Sequence, residues 1–295
     1  MKVAVASGKG GTGKTTVATS LALVAGSGTR LLDCDVEEPN AHLFLKPKIT
    51  RREPVTVPVP RVDAARCNAC GACGRFCRFN AIVSFKTEPL LFPELCHACG
   101  GCALVCPTQA ITEVPREIGV LEEGCAGNVD FLHGILNVGE AMSPPVIRAV
   151  KEYKWPKDVA RRGTIGLQLI DAPPGTSCPV IAAVRDVDLV LLVTEPTPFG
   201  LHDLTLAVET MRELGLDMGV ILNRAGSGDQ RVQQYCRSEN VALLAELPDD
   251  RRVAEAYSRG VPVVEAVPEM RTRFEELLSA AREHADKKGA NHAHV

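Results

Sequence analysis

The chain has 295 residues, a formal net charge of −3, 45% apolar side chains and 23% charged ones. That balance excludes a chain disordered throughout, and the length suits one large domain, or one domain carrying a smaller one. The charge gives no electrostatic case for nucleic acid as the main partner, and three Tyr, one Trp and eight Phe make no stacking platform for single strands. No run of about 18 apolar residues is present, so no membrane span is expected. The opening MKVAVASGKGG lacks an apolar signal core, which sets a cytoplasmic protein as the expectation.

Met1–Ala6 reads as a short buried strand. A Gly-rich turn follows, then a helix over Lys14–Ala25 and a second strand over Arg30–Asp33. Such alternation predicts parallel strands with helical crossovers. The turn itself, Gly8 to Thr15, fits G-x-x-x-x-G-K-[ST] directly after a strand and at the start of a helix. Gly8, Gly10, Gly11 and Gly13 would let backbone N–H groups converge on phosphate, with Thr12 and Thr16 completing the cradle. Lys14 would reach the β- and γ-phosphates, and the Thr15 hydroxyl would hold Mg²⁺.

Further along, Val55–Arg61 is rich in Pro and Val and reads as a linker. Residues 61–112 are different in kind. Cys67–Ile82 and Cys96–Ile111 form an internal repeat offset by 29, identical at eight of sixteen positions. A unit this short buries little apolar surface, so something besides a hydrophobic core must hold it. After Pro115 the α/β rhythm returns. Strands are expected at Glu117–Leu121 and Val129–Asn137, as a hairpin, and at Thr164–Ile170, Asp188–Thr194, Val220–Leu222 and Val241–Leu247. Helices are expected at Pro144–Lys154, Leu201–Leu214, Gln230–Glu239, Asp250–Arg259 and Pro268–Ala285. The polar tail from Asp286, with His292 and His294, reads as frayed. In the last helix Met270, Phe274, Leu277, Leu278 and Ala281 form an apolar face. Its opposite face mixes arginines with glutamates, so packing on the body is favoured over membrane binding.

Lys9 makes the loop K-G-G-T-G-K-T-T, which resembles the deviant Walker A of the MinD/ParA/Mrp class and the nitrogenase iron protein. The resemblance implies that Lys9 crosses a dimer interface to touch phosphate bound in the other subunit. ATP or ADP would then sit inside a homodimer. Four further segments follow in the order of that class. Asp33-Cys34-Asp35 resembles switch I, where Asp35 would position or deprotonate the attacking water. Asp171-Ala172-Pro173-Pro174-Gly175 resembles switch II, with Asp171 on Mg²⁺ through water and Gly175 sensing the γ-phosphate. Asn223, Arg224, Pro248 and Asp249 end strands where the class holds the base. Catalytic work would fall to Lys9, Lys14, Asp35 and Asp171.

Twelve cysteines are present, eight of them between Cys67 and Cys106. A long unsecreted chain should not build a disulfide framework from them. Cys67-x2-Cys70-x2-Cys73-x3-Cys77 and Cys96-x2-Cys99-x2-Cys102-x3-Cys106-Pro107 have the bacterial ferredoxin spacing for [4Fe–4S] clusters. Two-cluster ferredoxins exchange their fourth ligand. The resemblance therefore assigns Cys67, Cys70, Cys73 and Cys106 to one cluster, and Cys96, Cys99, Cys102 and Cys77 to the other. Zinc held by four thiolates is the alternative, and two interleaved sets at this spacing argue against it.

Cys34, Cys125, Cys178 and Cys236 stand outside the repeat as small buried residues. Cys178, with Cys125, is a minority candidate for a further cluster bridging a dimer, by resemblance to the nitrogenase iron protein. Leu136–Pro145 reads as an interdomain joint in which Glu140 is structural. The expected architecture is a mostly parallel, doubly wound α/β P-loop sheet over residues 1–60 and 113–295. It is interrupted by a ferredoxin-like α+β domain over 61–112 that binds two clusters. The expected function is an Mg²⁺-dependent ATPase whose nucleotide state controls electron transfer to a redox or iron–sulfur partner protein. The alternatives are an iron–sulfur carrier or scaffold of the Mrp type and a MinD- or ParA-like positioning ATPase.

Overall fold

A computed structural model describes residues 1–85, 88–156 and 165–292. The chain divides into two compact units. One comprises residues 1–52, 121–135 and 147–295, the other residues 53–120 and 136–146.

The first unit is built on parallel strands. Strand β1 (Lys2–Ala6) leads through the Gly-rich loop into α1 (Lys14–Ala25), and β2 (Thr29–Asp33) leads into α2 (Ala41–Leu45). The chain then leaves along β3 (Lys48–Val62) and returns along β6 (Ile111–Ala126), which a two-residue turn joins to β7 (Val129–Leu136). Helix α5 (Pro144–Lys151), β8 (Leu167–Asp171), α6 (Cys178–Val184), β9 (Leu189–Thr194), α7 (Pro198–Glu213) and β10 (Met218–Ala225) follow. Then come α8 (Arg231–Ser238), β11 (Ala242–Pro248), α9 (Arg251–Ser258), α10 (Val263–Ala266) and α11 (Pro268–His292). The sheet order among the described residues is β11-β10-β9-β1-β8-β2-β7-β6-β3. β1 pairs in parallel with both β8 and β9, and β2 with both β8 and β7. In parallel α/β sheets ligands bind beyond the carboxyl ends of the strands, at the point where the order reverses on either side of the first strand.

The strands read as continuous apolar runs because both faces are covered. Every residue of β9 is buried, and so are Val3 to Ala6 of β1. On one face α1 and α11 close the core: Val17, Leu21, Phe274 and Leu277 are each at most 1% exposed. Met270, Leu278 and Ala281 join them, so the apolar face of the last helix packs on the body of its own unit.

Two expectations are corrected. Val55–Arg61 is not a linker but part of β3, where Val55, Val57 and Val59 are buried and alternate with exposed residues. The prolines mask the pattern; a strand tolerates them because β3 lies at the sheet edge, where no further ladder bond is needed. The tail is not frayed from Asp286, since α11 continues to His292. The proposed start of a strand at Thr164, and His294, lie outside the described residues. Short elements such as α2 and α10 were invisible to periodicity.

The second unit carries α3 (Ala72–Phe76), α4 (Gly101–Leu104) and a small antiparallel pair, β4 (Ile82–Val83) and β5 (Leu90–Leu91). Around its cysteines lies a small buried cluster of Ile82, Cys102 and Ile111, with Val62, Cys73, Cys77, Leu91, Ala103 and Cys106 packed against it. Within the same unit Glu140 forms a two-pronged ion pair with Arg116 and is structural.

Leu277→Ala should destabilise the protein by about 2–5 kcal/mol, because it removes a fully buried side chain where α11 meets the sheet. A denaturant titration that shows no loss of midpoint would contradict this packing.

Candidate functional site

The first unit gathers its polar groups at the carboxyl ends of β1, β2 and β8. Gly13, with φ 96°, sits just before the first residue of α1, and Gly11 has φ 79°. Both conformations suit glycine. A Cβ on Gly10 or Gly11 would meet nothing within 4 Å, so this stretch of backbone faces open space, as a phosphate cradle requires. Gly8 serves differently: a Cβ there would lie 2.3 Å from the Asp203 carbonyl oxygen. It lets the loop pass close beneath α7.

A cleft of about 460 Å³ opens beside the loop. Gly10, Gly11, Gly13, Lys14, Thr15 and Thr16 form one wall, with Asp35, Glu38 and Asn40 next to them. Asn223, Arg224, Pro248 and Asp249 line it further out, together with Asp250 and Tyr257, which the sequence did not single out. Thr12 is buried behind the loop, and its carbonyl accepts from Asn223 Nδ2 at 2.8 Å. Asn223 Oδ1 accepts from the Arg224 N–H at 3.0 Å. Asn223 therefore braces the loop as well as lining the cleft, and a Cβ on Gly13 would collide with it. Gly175, with φ 96°, donates its N–H to the Ser7 carbonyl at 2.9 Å and ties the Asp171–Gly175 segment to the base of the loop.

The acidic groups are stacked in depth. Asp33 and Asp171 are in register on neighbouring strands, and both are fully buried. The Thr15 hydroxyl donates to Asp171 Oδ2 at 2.6 Å, while Asp171 Oδ1 is buried without a hydrogen-bond partner. An orphaned carboxylate oxygen beside a threonine hydroxyl is a hard-oxygen donor set that fits Mg²⁺. Burial pushes the Asp171 carboxyl up to about 7, against the Thr15 hydrogen bond and Lys14, which pull it down. Burial likewise raises Asp35 to about 6, opposed by Lys14 and assisted by Glu38 and Glu37. Asp33 is held well above the usual carboxylate range by burial and by Asp171, although the N–H groups of Asp35, Asn40 and Ala41 donate to it.

Lys9 does not line the cleft. Its Nζ lies 3.3 Å from Glu195 Oε2, and Arg224 Nη1 lies 2.8 Å from Glu195 Oε1. Glu195 was missed because it sits far along the chain in a loop with no motif of its own. Cys34 is fully buried and burial drives its thiol far up, so it is inert. Cys178 is exposed at the first residue of α6, Cys125 is half-buried at the end of β6, and Cys236 is buried.

The second unit places its eight cysteines around two hollows. Cys67, Cys70, Cys73 and Cys106 line one; Cys77, Cys96, Cys99 and Cys102 line the other. Among the described residues no three His, Cys, Asp or Glu side chains converge on the geometry of a single metal ion. The backbone repeats with the sequence: Ala69 and Ala98 have φ 56° and 53°, Gly71 and Gly100 have φ 72° and 70°, and Asn80 and Gln109 have φ 56° and 51°. Left-handed alanine costs energy, and it recurs at matching positions beside the cysteines of both halves. The Ala98 N–H points at Cys96 Sγ (3.4 Å) and the Ala110 N–H at Cys106 Sγ (3.2 Å).

A P-loop closed by a buried threonine–aspartate pair, on a parallel sheet with its first strand central, defines a nucleotide-binding P-loop protein. The family profile CbiA, the CobQ/CobB/MinD/ParA nucleotide binding domain, matches residues 3–263, and the chain belongs to this family. MJ0578, an uncharacterized protein of Methanocaldococcus jannaschii, is 38% identical over 228 residues, 77% of this chain and 79% of its own. An iron-sulfur cluster carrier protein of Pyrococcus horikoshii is 24% identical over 287 residues, 89% of this chain and 79% of its own. The fold is similar to that of the septum site-determining protein MinD of Pyrococcus horikoshii, solved in complex with Mg-ADP. The TM-score is 0.56 at 22% identity, over 94% of this chain and 93% of that one.

The raised carboxylates give a pH dependence with a definite sign. A buried acid whose pKa is raised binds its proton more tightly in the folded state, so stability falls as pH rises from its unfolded value towards its folded one. Metal-free, nucleotide-free protein should therefore lose melting temperature between about pH 4 and pH 7 through Asp171 and Asp35. Asp171→Asn should flatten that slope, as read by calorimetric melting across the range.

Proposed function

We propose that the protein is a Mg²⁺-dependent ATPase that carries two [4Fe–4S] clusters and couples its nucleotide state to one-electron transfer. The observation that carries the ATPase reading is the Thr15–Asp171 pair with its orphaned oxygen, beneath an open glycine backbone at the start of α1. Lys14 and the loop N–H groups would hold the β- and γ-phosphates of ATP, and Thr15 and Asp171 the Mg²⁺. Asp35, next to Lys14 at the rim of the cleft, would orient the attacking water. Its raised pKa suits a group that takes a proton near neutrality. Asp249, Asp250 and Tyr257 would meet the base.

Lys9 acts in trans in this reading, within a homodimer closed on ATP. It is tied here to Glu195, so closure exchanges that ion pair for phosphate. Hydrolysis is thereby gated by dimer formation. Lys9→Ala should cost at least about 100-fold in kcat while nucleotide binding by the monomer persists. Equal turnover in the variant would exclude a catalytic Lys9.

The segment 61–112 is the inserted ferredoxin-like module. Four thiolates around each hollow would hold one cluster apiece, and a cluster supplies reversible one-electron chemistry when bound. The small size of the apolar cluster around the cysteines supports the reading, because metal binding then supplies folding free energy. Exchange of the fourth ligand yields a discriminating prediction. Cys70→Ala/Cys106→Ala should keep about four irons per chain, since both residues line one hollow. Cys70→Ala/Cys77→Ala should keep almost none, although both lie in the same repeat. Iron analysis of anaerobically purified protein decides, and equal losses in the two variants would refute the exchange.

A second reading, an iron–sulfur carrier, is favoured by the relatives of that name. It expects nucleotide-dependent transfer of clusters to an apo-protein, whereas the redox reading expects the clusters to stay bound through turnover.

A further inference from the structure

The two halves of the cysteine module repeat so closely that their differences become informative. Charge does not separate them. Exposed groups of both signs flank the first hollow (Asp63, Glu88, Arg66 and Arg75) and the second (Glu113, Arg61 and Arg78). Backbone donors do not separate them either. Each hollow has an N–H aimed at a cysteine sulfur, that of Ala110 at Cys106 in the first and that of Ala98 at Cys96 in the second. Side-chain hydroxyls do. Ser84 and Thr108 line the first hollow, with Ser84 Oγ 3.9 Å from Cys73 Sγ and Thr108 Oγ1 3.7 Å from Cys106 Sγ. The corresponding residues, 29 positions away, are Glu113 and Phe79, and both line the second hollow. Phe79 is stacked on His97 at 3.7 Å. Among the described residues no hydroxyl side chain lines the second hollow.

We propose that Ser84 and Thr108 make the two sites unequal, so that the first electron taken up by the module settles in the first hollow. This inference rests on the two-cluster reading. A cysteine bound to iron carries no proton, so at each pair the hydroxyl donates and the sulfur accepts. Such donation is strongest towards the reduced, more negative state, and it raises the reduction potential of the site that has it. Neither the phenyl ring of Phe79 nor the ionised carboxylate of Glu113 can donate in the same way. Transfer between the sites moves one electron. A 1+ [4Fe–4S] cluster in the second hollow is oxidised to 2+, and a 2+ cluster in the first is reduced to 1+. No bond is made and no proton moves. Ser84 and Thr108 are positioning residues, because they act through the sulfurs of Cys73 and Cys106.

The test is a potentiometric titration of the cluster-loaded full chain with dithionite, followed by electron paramagnetic resonance. The unmodified protein should take up its two electrons in separate steps, with the first site favoured about tenfold, or about 59 mV between midpoints. Ser84→Ala/Thr108→Val should lower the higher step until the two nearly coincide. Ser84→Thr/Thr108→Ser, which keeps both hydroxyls, should leave it in place. Hydroxyls carried to the second hollow by Phe79→Thr/Glu113→Ser should raise the lower step above that of Phe79→Val/Glu113→Ala, which differs only in lacking them. Coincident steps in the unmodified protein would overturn the inference. So would an unmoved higher step in Ser84→Ala/Thr108→Val with its iron intact. Should that variant lose its iron, equal lower steps in the two variants of the second hollow would overturn it instead. Absence of cluster iron from the unmodified protein would overturn the two-cluster reading and this inference with it.

Discussion

Two carboxylates placed side by side in a parallel sheet govern the nucleotide end of this molecule. Asp33 and Asp171 end neighbouring strands in register, and neither is exposed. Ionising both without a cation nearby is unfavourable, so their surroundings are organised around partial neutralisation. Lys14 approaches from the start of α1, Thr15 donates a hydrogen bond, and three backbone N–H groups turn towards Asp33. A divalent cation would complete the set. The loop, the helix that follows it and the segments after Asp33 and Asp171 are therefore held by one electrostatic problem.

The cysteine module meets a different constraint. Its strands are too short and its apolar residues too few to exclude water from a core of ordinary size. Glycines and left-handed alanines instead bend the backbone around sulfur, and they do so twice with nearly the same angles. The fourth cysteine of each repeat reaches across to the other hollow. Neither half is complete without its twin, so a duplicated sequence becomes a single structural unit.

What the sequence disclosed, it disclosed through local signals. The strand, loop and helix around Lys14 lie within one short stretch, and the alternation of later strands and helices follows from runs of Val, Leu and Ile. Glu195 was silent because its partners, Lys9 and Arg224, are brought to it only by the order of β9, β1 and β10 in the sheet. The stacking of Asp33 behind Asp171 depends on strand register, which no motif encodes. β3 was misread because Pro54, Pro58 and Pro60 suggest a linker, whereas the buried Val55, Val57 and Val59 between them keep the alternation of a strand.

Those same prolines have a consequence beyond the strand they occupy. Pro54, Pro58 and Pro60 share one parity, so the N–H groups they lack would all have pointed to the same side of β3. Being at the border of the nine-stranded sheet, β3 would otherwise offer a row of free donors to any extended peptide. Arg51, Arg52 and Glu53, exposed along the same border, add charge to that deterrent. That border of the sheet is thus closed to an added strand, and copies of the chain are hindered from pairing along it.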